Sequence, residues 1–364
     1  METVPFTKKS LATFIHSQRY YRLANVPISK QRAVSQINNP RADDDDLLLV
    51  VQLDDDKTVG YLGVLPDYLF FNSGYEKVGW LTCFWVDEKY KSQNVAANLF
   101  LRAIRAWDKK ILITNIVPSL EPVYQKTNIF QPTKYKIGYR GYLRFNLAEI
   151  LPPKNCTLSK LTPLLKLSDW FLNIFVDLRL VFIKEHPPKD VKFEYLSSFD
   201  EIPADFLSKF SSYSWNQRSM AELNWIVKNP WLMVGAIPGH SSSRYYFSSL
   251  SRQFFYQIIK FTDDSGNIIA TVLITVRNRR MAVPYIFCDE KNMAPVLKFI
   301  VNTMVKLKLN MVTVYNETLA DSFRKSKTPF ITSKKIRKPY LISKAFNFID
   351  SLNFQDGDGD CAFY

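Results

Sequence analysis

The chain has 364 residues, and its 47% apolar and 15% aromatic content excludes an intrinsically disordered protein and predicts more than one domain. Its four cysteines are widely spaced without a CxxC pair and its three histidines are scattered, which excludes a disulfide framework and predicts no bound metal. The formal net charge of +14 favours an anionic partner, but the sequence has no RNP motif, zinc finger or Lys/Arg tract, so we expect no sequence-specific nucleic-acid binding.

The first half of the chain alternates apolar runs with helical patterns. Two apolar runs flank an acidic DDDK turn, which predicts a hairpin, and a strand, an amphipathic helix, a strand and a short helix follow. In chain order these elements are predicted at 47–53, 58–65, 78–86, 95–107, 111–117 and 121–126, with late strands at 135–147. The N-terminus lacks the apolar core of a signal peptide, and no run of about 18 apolar residues occurs, so we expect a soluble, cytoplasmic protein without a transmembrane segment.

The second half repeats the order of the first. Its predicted elements are strands at 254–261, 267–276 and 281–288, a helix at 293–307, a strand at 311–316, a short helix and a late strand. The words DEK follow the corresponding strand in both halves, about 200 residues apart, which indicates a duplicated α/β unit. We therefore predict an α+β fold of two similar domains at 1–150 and 190–364, each a mixed, mostly antiparallel sheet flanked by helices, joined by a helical linker at 151–189. A helix over 158–182 is interpreted as a brace between domains, with a membrane-surface helix as the alternative.

One stretch of the first half, WVDEKYKSQNVAANLF, connects a strand to a helix through a polar loop that ends in small residues. The N–H groups of such a loop and of the first helical turn have no main-chain partners, so they commonly bind an anion. This pattern predicts a phosphate-binding loop.

The same stretch resembles the GNAT family (Gcn5-related N-acetyltransferases). The resemblance rests on the strand Cys83-Phe84-Trp85-Val86, the loop from Tyr90 to Ala96 and the segment YQKTNIF after Tyr124. Asparagine replaces both glycines of the family pattern, at Asn94 and Asn128, and asparagine is the residue other than glycine that best tolerates the left-handed conformation. The resemblance implies that acyl-coenzyme A, most simply acetyl-CoA, binds as a cosubstrate, with its pantetheine beside the strand and its diphosphate at the loop. The implied cofactor-binding residues are Phe84, Trp85, Val86, Lys91, Ser92, Gln93, Asn94, Val95, Ala96 and Ala97.

Acyl transfer to an amine needs a donor for the oxyanion, stabilisation of the leaving thiolate and a neutral amine. The N–H group of Trp85 or of Val86 is the candidate oxyanion donor, and Tyr124 is the candidate proton donor to sulfur, as the resemblance implies. No general base stands out; Glu88 is the candidate, acting through a water molecule.

The second copy lacks the polar loop. Met293, Ala294 and Pro295 replace it, proline removes one N–H group, and Phe323 takes the place of Tyr124. We therefore expect that this copy does not bind coenzyme A in the same way.

Two further segments are ambiguous. The run Tyr213–Trp231 predicts a helix that belongs to the core or lines an acceptor groove, and DGDGD near the C-terminus predicts a turn followed by a last strand, CAFY.

The sequence thus predicts an acyl-CoA-dependent N-acyltransferase acting on a small amine, with an amino sugar and an anionic or nucleotide-linked amine among the open acceptors. Two alternatives are an aminoacyl transferase resembling the FemABX group, which would use aminoacyl-tRNA, and a binding module of the same fold without catalysis. The sequence leaves the oligomeric state open.

Overall fold

A computed structural model describes residues 1–71, 74–154, 156–182, 191–236, 243–346 and 352–363. The strands, in chain order, are β1 (Glu2–Thr7), β2 (Leu47–Asp54), β3 (Lys57–Phe71), β4 (Gly74–Val86), β5 (Ile111–Thr114), β6 (Lys134–Tyr142), β7 (Val191–Leu196), β8 (Met233–Val234), β9 (Leu250–Ser251), β10 (Phe254–Asp263), β11 (Ile268–Arg277), β12 (Arg280–Cys288), β13 (Met311–Val314) and β14 (Thr332–Ile342). The helices are α1 (Lys8–Phe14), α2 (Gln18–Arg22), α3 (Lys30–Ile37), α4 (Val95–Ala106), α5 (Glu121–Lys126), α6 (Leu147–Ile150), α7 (Cys156–Lys160), α8 (Thr162–Val181), α9 (Ala204–Ser211), α10 (Met220–Lys228), α11 (Met293–Lys306) and α12 (Glu317–Lys325). In the described part of the chain, none of these helices combines the length and the apolar character needed to cross a membrane.

The chain folds into two compact units, each built from segments distant in sequence. Unit 1 comprises residues 1–136, 197–256 and 338–364, and unit 2 comprises residues 137–196 and 257–337. This grouping follows contacts in space rather than chain order, and the domain boundaries at 150 and 190 stay a prediction.

The sheet of unit 1 is mostly antiparallel. Strands β1 to β4 pair antiparallel in sequence order, β4 pairs parallel with β5, and the end of β14 pairs antiparallel with β5 through Tyr340–Ile342. A parallel neighbour needs a crossover connection, which α4 supplies between β4 and β5. Apolar side chains on one face of this sheet pack with α1 to α3, and those on the other face pack with α4.

Unit 2 repeats this strand plan. Strand β12 pairs antiparallel with β11 and parallel with β13, β13 pairs antiparallel with β6, and β7 pairs antiparallel with β10. The mixed, mostly antiparallel β-structure with flanking helices that the sequence predicts is therefore confirmed, whereas its division into two similar domains stays a prediction. The last strand segment of each unit comes from the other half of the sequence, since residues 338–342 of β14 belong to unit 1 and residues 137–142 of β6 belong to unit 2.

The C-terminal segment differs from its prediction. Residues Cys361–Phe363 form a single 3₁₀ turn, so the predicted strand CAFY is wrong over the described residues; Tyr364 lies outside them. The reason is that side-chain contacts, and not hydrogen bonds to a sheet edge, fix this segment. The ring of Phe363 stacks on Trp231 with 4.5 Å between centroids, and Asp356 pairs with the buried Lys338 at 2.5 Å.

The predicted helix over Tyr213–Trp231 is also shorter than expected. Only Met220–Lys228 is helical, after a turn in which Gln217 has a positive φ. Trp225 and Trp231 are buried and donate their indole N–H groups to the main-chain oxygen and the hydroxyl of Ser35. These tryptophans therefore serve the core of unit 1, as one of the two interpretations expects.

Candidate functional site

Strands β4 and β5 of unit 1 separate part-way along their length. They pair only over Gly79–Leu81 and Ile111–Ile113; β5 then ends at Thr114, whereas β4 continues to Val86. Among the residues that the structure describes, no strand pairs with the β5-facing edge of β4 beyond Leu81. An open strand edge of this kind presents main-chain donors and acceptors to an extended ligand.

A β-bulge at Cys83 shapes this open edge. The pairing of β4 with β3 shifts register between Tyr61 and Gly63, and Cys83 has φ of 48°, in the left-handed region that a side chain other than glycine or asparagine rarely adopts. Beyond the bulge, Phe84 and Val86 pack against the apolar cluster around α4, and Trp85 packs against Tyr61 with a centroid distance of 5.3 Å.

The register decides which main-chain donor faces the gap. Asp87 donates its N–H to the carbonyl of Val59 at 2.9 Å, and Gly60 lies opposite Val86. Because donors alternate between the two sides of an antiparallel strand, the N–H of Trp85 points toward β3 and that of Val86 points away from it. Of the two donors that the sequence leaves open, the geometry favours Val86.

The loop after β4 ends in a residue with the left-handed conformation. Asn94 has φ of 59° and ψ of 11°, and its side chain forms no capping hydrogen bond. The N–H groups of Val95, Ala96 and Ala97 have no acceptor within hydrogen-bonding distance among the described residues, and Ala96 and Ala97 are exposed. Free N–H groups and the helix dipole together make the first turn of the 12-residue helix α4 suited to an anion.

An ion pair, a hydrogen bond and a close helix–strand contact at a glycine fix this loop. Lys57 contacts Asp87 at 2.9 Å, and Tyr90 donates its hydroxyl to Asp54 at 2.7 Å. The hydrogen bond from Lys57 keeps the pKa of Asp87 below its usual value. A Cβ atom on Gly60 would lie 2.8 Å from Val95 Cγ1, so glycine allows α4 to approach β3 closely.

Solved structures share this architecture, although no protein-family model and no curated protein matches the sequence. A conserved protein from Enterococcus faecalis V583, described as a probable N-acyltransferase, superposes with a TM-score of 0.53 at 8% identity, over 94% of this chain and 72% of its own. GCN5-related N-acetyltransferases superpose less closely: that of Kribbella flavida with a TM-score of 0.42 at 11% identity (94% and 70% covered), and that of Anabaena variabilis ATCC 29413 with 0.46 at 9% identity (93% and 72% covered). The chain has a GNAT fold. The predicted resemblance in fold is confirmed.

Tyr124 of this GNAT-fold chain lies on α5 beside the same cluster as Phe84 and Val86. Its ring contacts Phe100 and Phe130 at centroid distances of 5.6 and 6.1 Å. Burial raises the pKa of Tyr124 to about 12, so the phenol is protonated at neutral pH. Asn128, two residues after α5, has φ of 59°, so both asparagines in glycine positions of the GNAT pattern adopt the left-handed conformation.

Glu88 and Lys91 lie in the loop after β4, on the protein surface. Their side chains are exposed and pair with each other at 2.5 Å. Ser92 and Gln93 are likewise exposed. The structure therefore brings Tyr124, Phe84 and Val86 to one cluster and leaves Glu88 at the surface, where its role as a base stays a prediction.

A polar cluster on the other face of β4 was not predicted from the sequence. Thr82 accepts from Arg32 of α3 at 2.7 Å and contacts Asp360 of the C-terminal segment. The Sγ atom of Cys83 contacts Arg32, and burial raises the pKa of this thiol, which makes it an unsuitable nucleophile. No local pattern relates these positions, because they meet only through the tertiary fold.

The corresponding position in unit 2 has a different geometry. Helix α11 begins directly after a short 3₁₀ turn, its N-cap Asn292 has φ of −97°, and Pro295 occupies its first turn. Phe323 is buried and stacks on Tyr139 at 5.1 Å. Neither the left-handed cap nor the tyrosine of unit 1 has an equivalent here.

Proposed function

We propose that this GNAT-fold chain is an N-acyltransferase that uses acyl-CoA, most simply acetyl-CoA, and that unit 1 carries the activity. Two observations support this proposal. The N–H groups of Val95 to Ala97, in the first turn of α4 after the left-handed N-cap Asn94, are free, and β4, which precedes this loop, has an open edge. The diphosphate of the cosubstrate would accept hydrogen bonds from this turn, and the pantetheine would lie along Phe84 to Val86. The acceptor would be an amine, whose identity we leave at that class.

The chemistry then requires little from side chains. The neutral amine attacks the thioester carbon, and the N–H of Val86 donates a hydrogen bond to the oxygen that becomes negative. This hydrogen bond stabilises the transition state more than the ground state and so lowers the barrier. Collapse of the tetrahedral intermediate breaks the C–S bond and forms the amide. The proton lost by the amine nitrogen ends on the thiolate of coenzyme A.

Tyr124 would assist the departure of sulfur. A thiol has a pKa near 8.5, well below the value of about 12 for Tyr124, so complete proton transfer from the phenol to the thiolate is unfavourable. The phenol would instead stabilise the developing thiolate as a hydrogen-bond donor and remain protonated after turnover. This role needs a high pKa, since an ionised phenol would repel the thiolate.

Ala96→Glu is expected to weaken binding of acetyl-CoA at least tenfold, measured by isothermal titration calorimetry. The carboxylate would occupy the place of the diphosphate and repel it, whereas an acidic residue in the first turn suits the helix dipole and should not impair folding. Ala294→Glu, the matched change in the first turn of α11, should leave the affinity unchanged. Asn94→Gly should also bind acetyl-CoA with the affinity of the wild type, because glycine adopts a positive φ without strain.

The outcome of this titration separates the proposal from its alternatives. Equal affinity of the wild type and Ala96→Glu contradicts the placement of the diphosphate. Binding of aminoacyl-tRNA without binding of acetyl-CoA would support the FemABX-like alternative, and binding of acetyl-CoA without turnover of any amine would support a non-catalytic module.

Glu88→Gln tests the proposed base separately. A general base acting through water typically contributes a factor of about 10² to 10⁴ to the rate. At pH values below the pKa of the amine, where its deprotonation matters most, kcat of Glu88→Gln should therefore be at least about 100-fold lower than that of the wild type. The measurement is the pH dependence of kcat with the same acceptor for both proteins. A profile that coincides with that of the wild type removes Glu88 from the mechanism.

A further inference from the structure

Helix α8 of unit 2 has an outer face that is apolar along its whole length. Six residues on this face recur with the spacing 3-4-3-4-3: Leu164, Leu167, Phe171, Ile174, Leu178 and Val181. Their exposed fractions lie between 39% and 72%, and Trp170, Phe175 and Phe182 flank them with 57% to 83% exposure. We call these nine residues the α8 stripe.

The inner face of α8 is already occupied. Asp169 accepts from the N–H groups of Leu147 and Ala148 at 2.7 and 2.9 Å, and Asn173 exchanges two hydrogen bonds with the main chain of Phe145. Val176 is buried, and Asp177 pairs with Arg144. These contacts fix α8 to unit 2 and orient the α8 stripe outward.

The spacing of the α8 stripe is that of a helix-packing seam. An apolar repeat of 3.5 residues keeps one line of side chains facing a partner helix, whereas a helix that only covers a core shows a broader stripe of period 3.6. From Leu164 to Val181 the seam is about 26 Å long at 1.5 Å per residue. The pattern therefore points to a helix as the partner.

The size of the α8 stripe matches a stable interface. At these exposures its nine large side chains present on the order of 1,000 Å² of apolar surface, more than the roughly 300–600 Å² patch of a typical monomer and close to the about 800 Å² per partner of a standard interface. An isologous contact between two copies would bury the same stripe on both sides.

The charges along α8 favour a second copy over a lipid surface. Residues 161–182 contain two basic and two acidic side chains, Lys166, Arg179, Asp169 and Asp177, so the helix has no net charge although the chain carries +14. An interfacial helix that binds anionic lipid is rich in lysine and arginine. Two like-charged chains, in contrast, associate most readily through a face without net charge.

We propose that the α8 stripe is the dimerisation surface of this protein, occupied by α8 of a second copy. Light scattering coupled to size exclusion at micromolar concentration should give twice the 42.4 kDa of one chain. Phe171→Glu and Leu178→Glu should each give the mass of one chain, because a carboxylate would be buried without a partner. Tyr213→Glu, at an exposed aromatic residue of unit 1, should remain dimeric.

Circular dichroism and the affinity for acetyl-CoA test whether the two α8 variants are folded. Unit 1 is unaltered in both, so a folded monomer should retain the wild-type spectrum and the wild-type affinity. A monomeric wild type, or a dimer that persists in both variants, overturns the proposal. A monomer that sediments with vesicles of phosphatidylcholine and phosphatidylglycerol, and loses this binding in Phe171→Glu, overturns it in favour of a membrane surface.

Discussion

Replacement of Asp67 by alanine is expected to lower the free energy of unfolding of unit 1 by about 3–5 kcal/mol. The carboxylate of Asp67 is fully buried and accepts five hydrogen bonds from side chains. Arg41 donates one at 2.6 Å, Arg218 donates two at 2.6 and 3.1 Å, and the side-chain N–H groups of Asn216 and Trp80 donate at 2.6 and 3.1 Å.

The size of this effect follows from what remains after the substitution. Both guanidinium groups are buried, with side-chain exposures of 3% and 4%. Glu222 still pairs with Arg41, and Asp358 of the C-terminal segment still contacts Arg218, but neither replaces the central acceptor. Removal of Asp67 leaves buried N–H donors of both guanidinium groups, of Asn216 and of Trp80 without an acceptor, which costs far more than loss of an exposed pair.

Denaturant titration followed by tryptophan fluorescence measures this loss selectively. All tryptophans except Trp170 belong to unit 1, so the signal reports mainly on that unit. The control is Glu2→Ala, which removes an exposed pair with Arg19 in the same unit and should change stability by less than about 0.5 kcal/mol. A loss below about 1 kcal/mol for Asp67→Ala would mean that the network contributes little beyond packing.

The candidate site could be predicted from the sequence where its chemistry is local. The strand, the polar loop and the helix from Val78 to Trp107 differ in hydrophobic period, and the small residues Ala96 and Ala97 mark the first turn of the helix. The left-handed conformation of Asn94 follows from the intrinsic preference of asparagine. Each of these features depends on neighbours within a few residues along the chain.

The rest of the site depends on contacts that local patterns do not encode. The bulge at Cys83 places a residue with no preference for positive φ in that conformation, so only the surrounding packing imposes it. The closing strand of unit 1 comes from the second half of the chain, and Asp360 reaches Thr82 from 278 residues away. The strand pattern of the sequence does not reveal this pairing, because a strand shows the same alternation of side chains whichever strand it finally pairs with.

The pairing of β14 with β5 also explains why the C-terminal acidic turn is buried. Once β14 pairs with β5, the chain that follows lies within unit 1, where Arg218 and Lys338 need acidic partners. Asp358 and Asp356 supply them. The DGDGD segment is therefore part of the core of unit 1, and its carboxylates are engaged by the protein itself.

Replacement of Tyr124 by phenylalanine is expected to lower kcat by about 10²- to 10³-fold, the usual effect of removing one preorganised donor to a developing charge, and to leave the affinity for acetyl-CoA nearly unchanged. The ring would keep its contacts with Phe100 and Phe130, so the substitution removes only the hydroxyl. Steady-state kinetics together with calorimetric titration of acetyl-CoA measure the two quantities independently. Phe323→Tyr, which adds a hydroxyl at the equivalent position of unit 2, should not restore activity to this variant.

The pH dependence gives a second measure of the same residue. Because burial raises the pKa of Tyr124 to about 12, the phenol keeps its proton throughout the range in which an amine acceptor loses its own. The rate of the wild type should therefore rise with pH as the amine is deprotonated and should show no decline up to about pH 10. A descending limb between about pH 8 and 10 that disappears in Tyr124→Phe would show an ionising phenol with an ordinary pKa, and an unchanged kcat in that variant would exclude Tyr124 from the reaction.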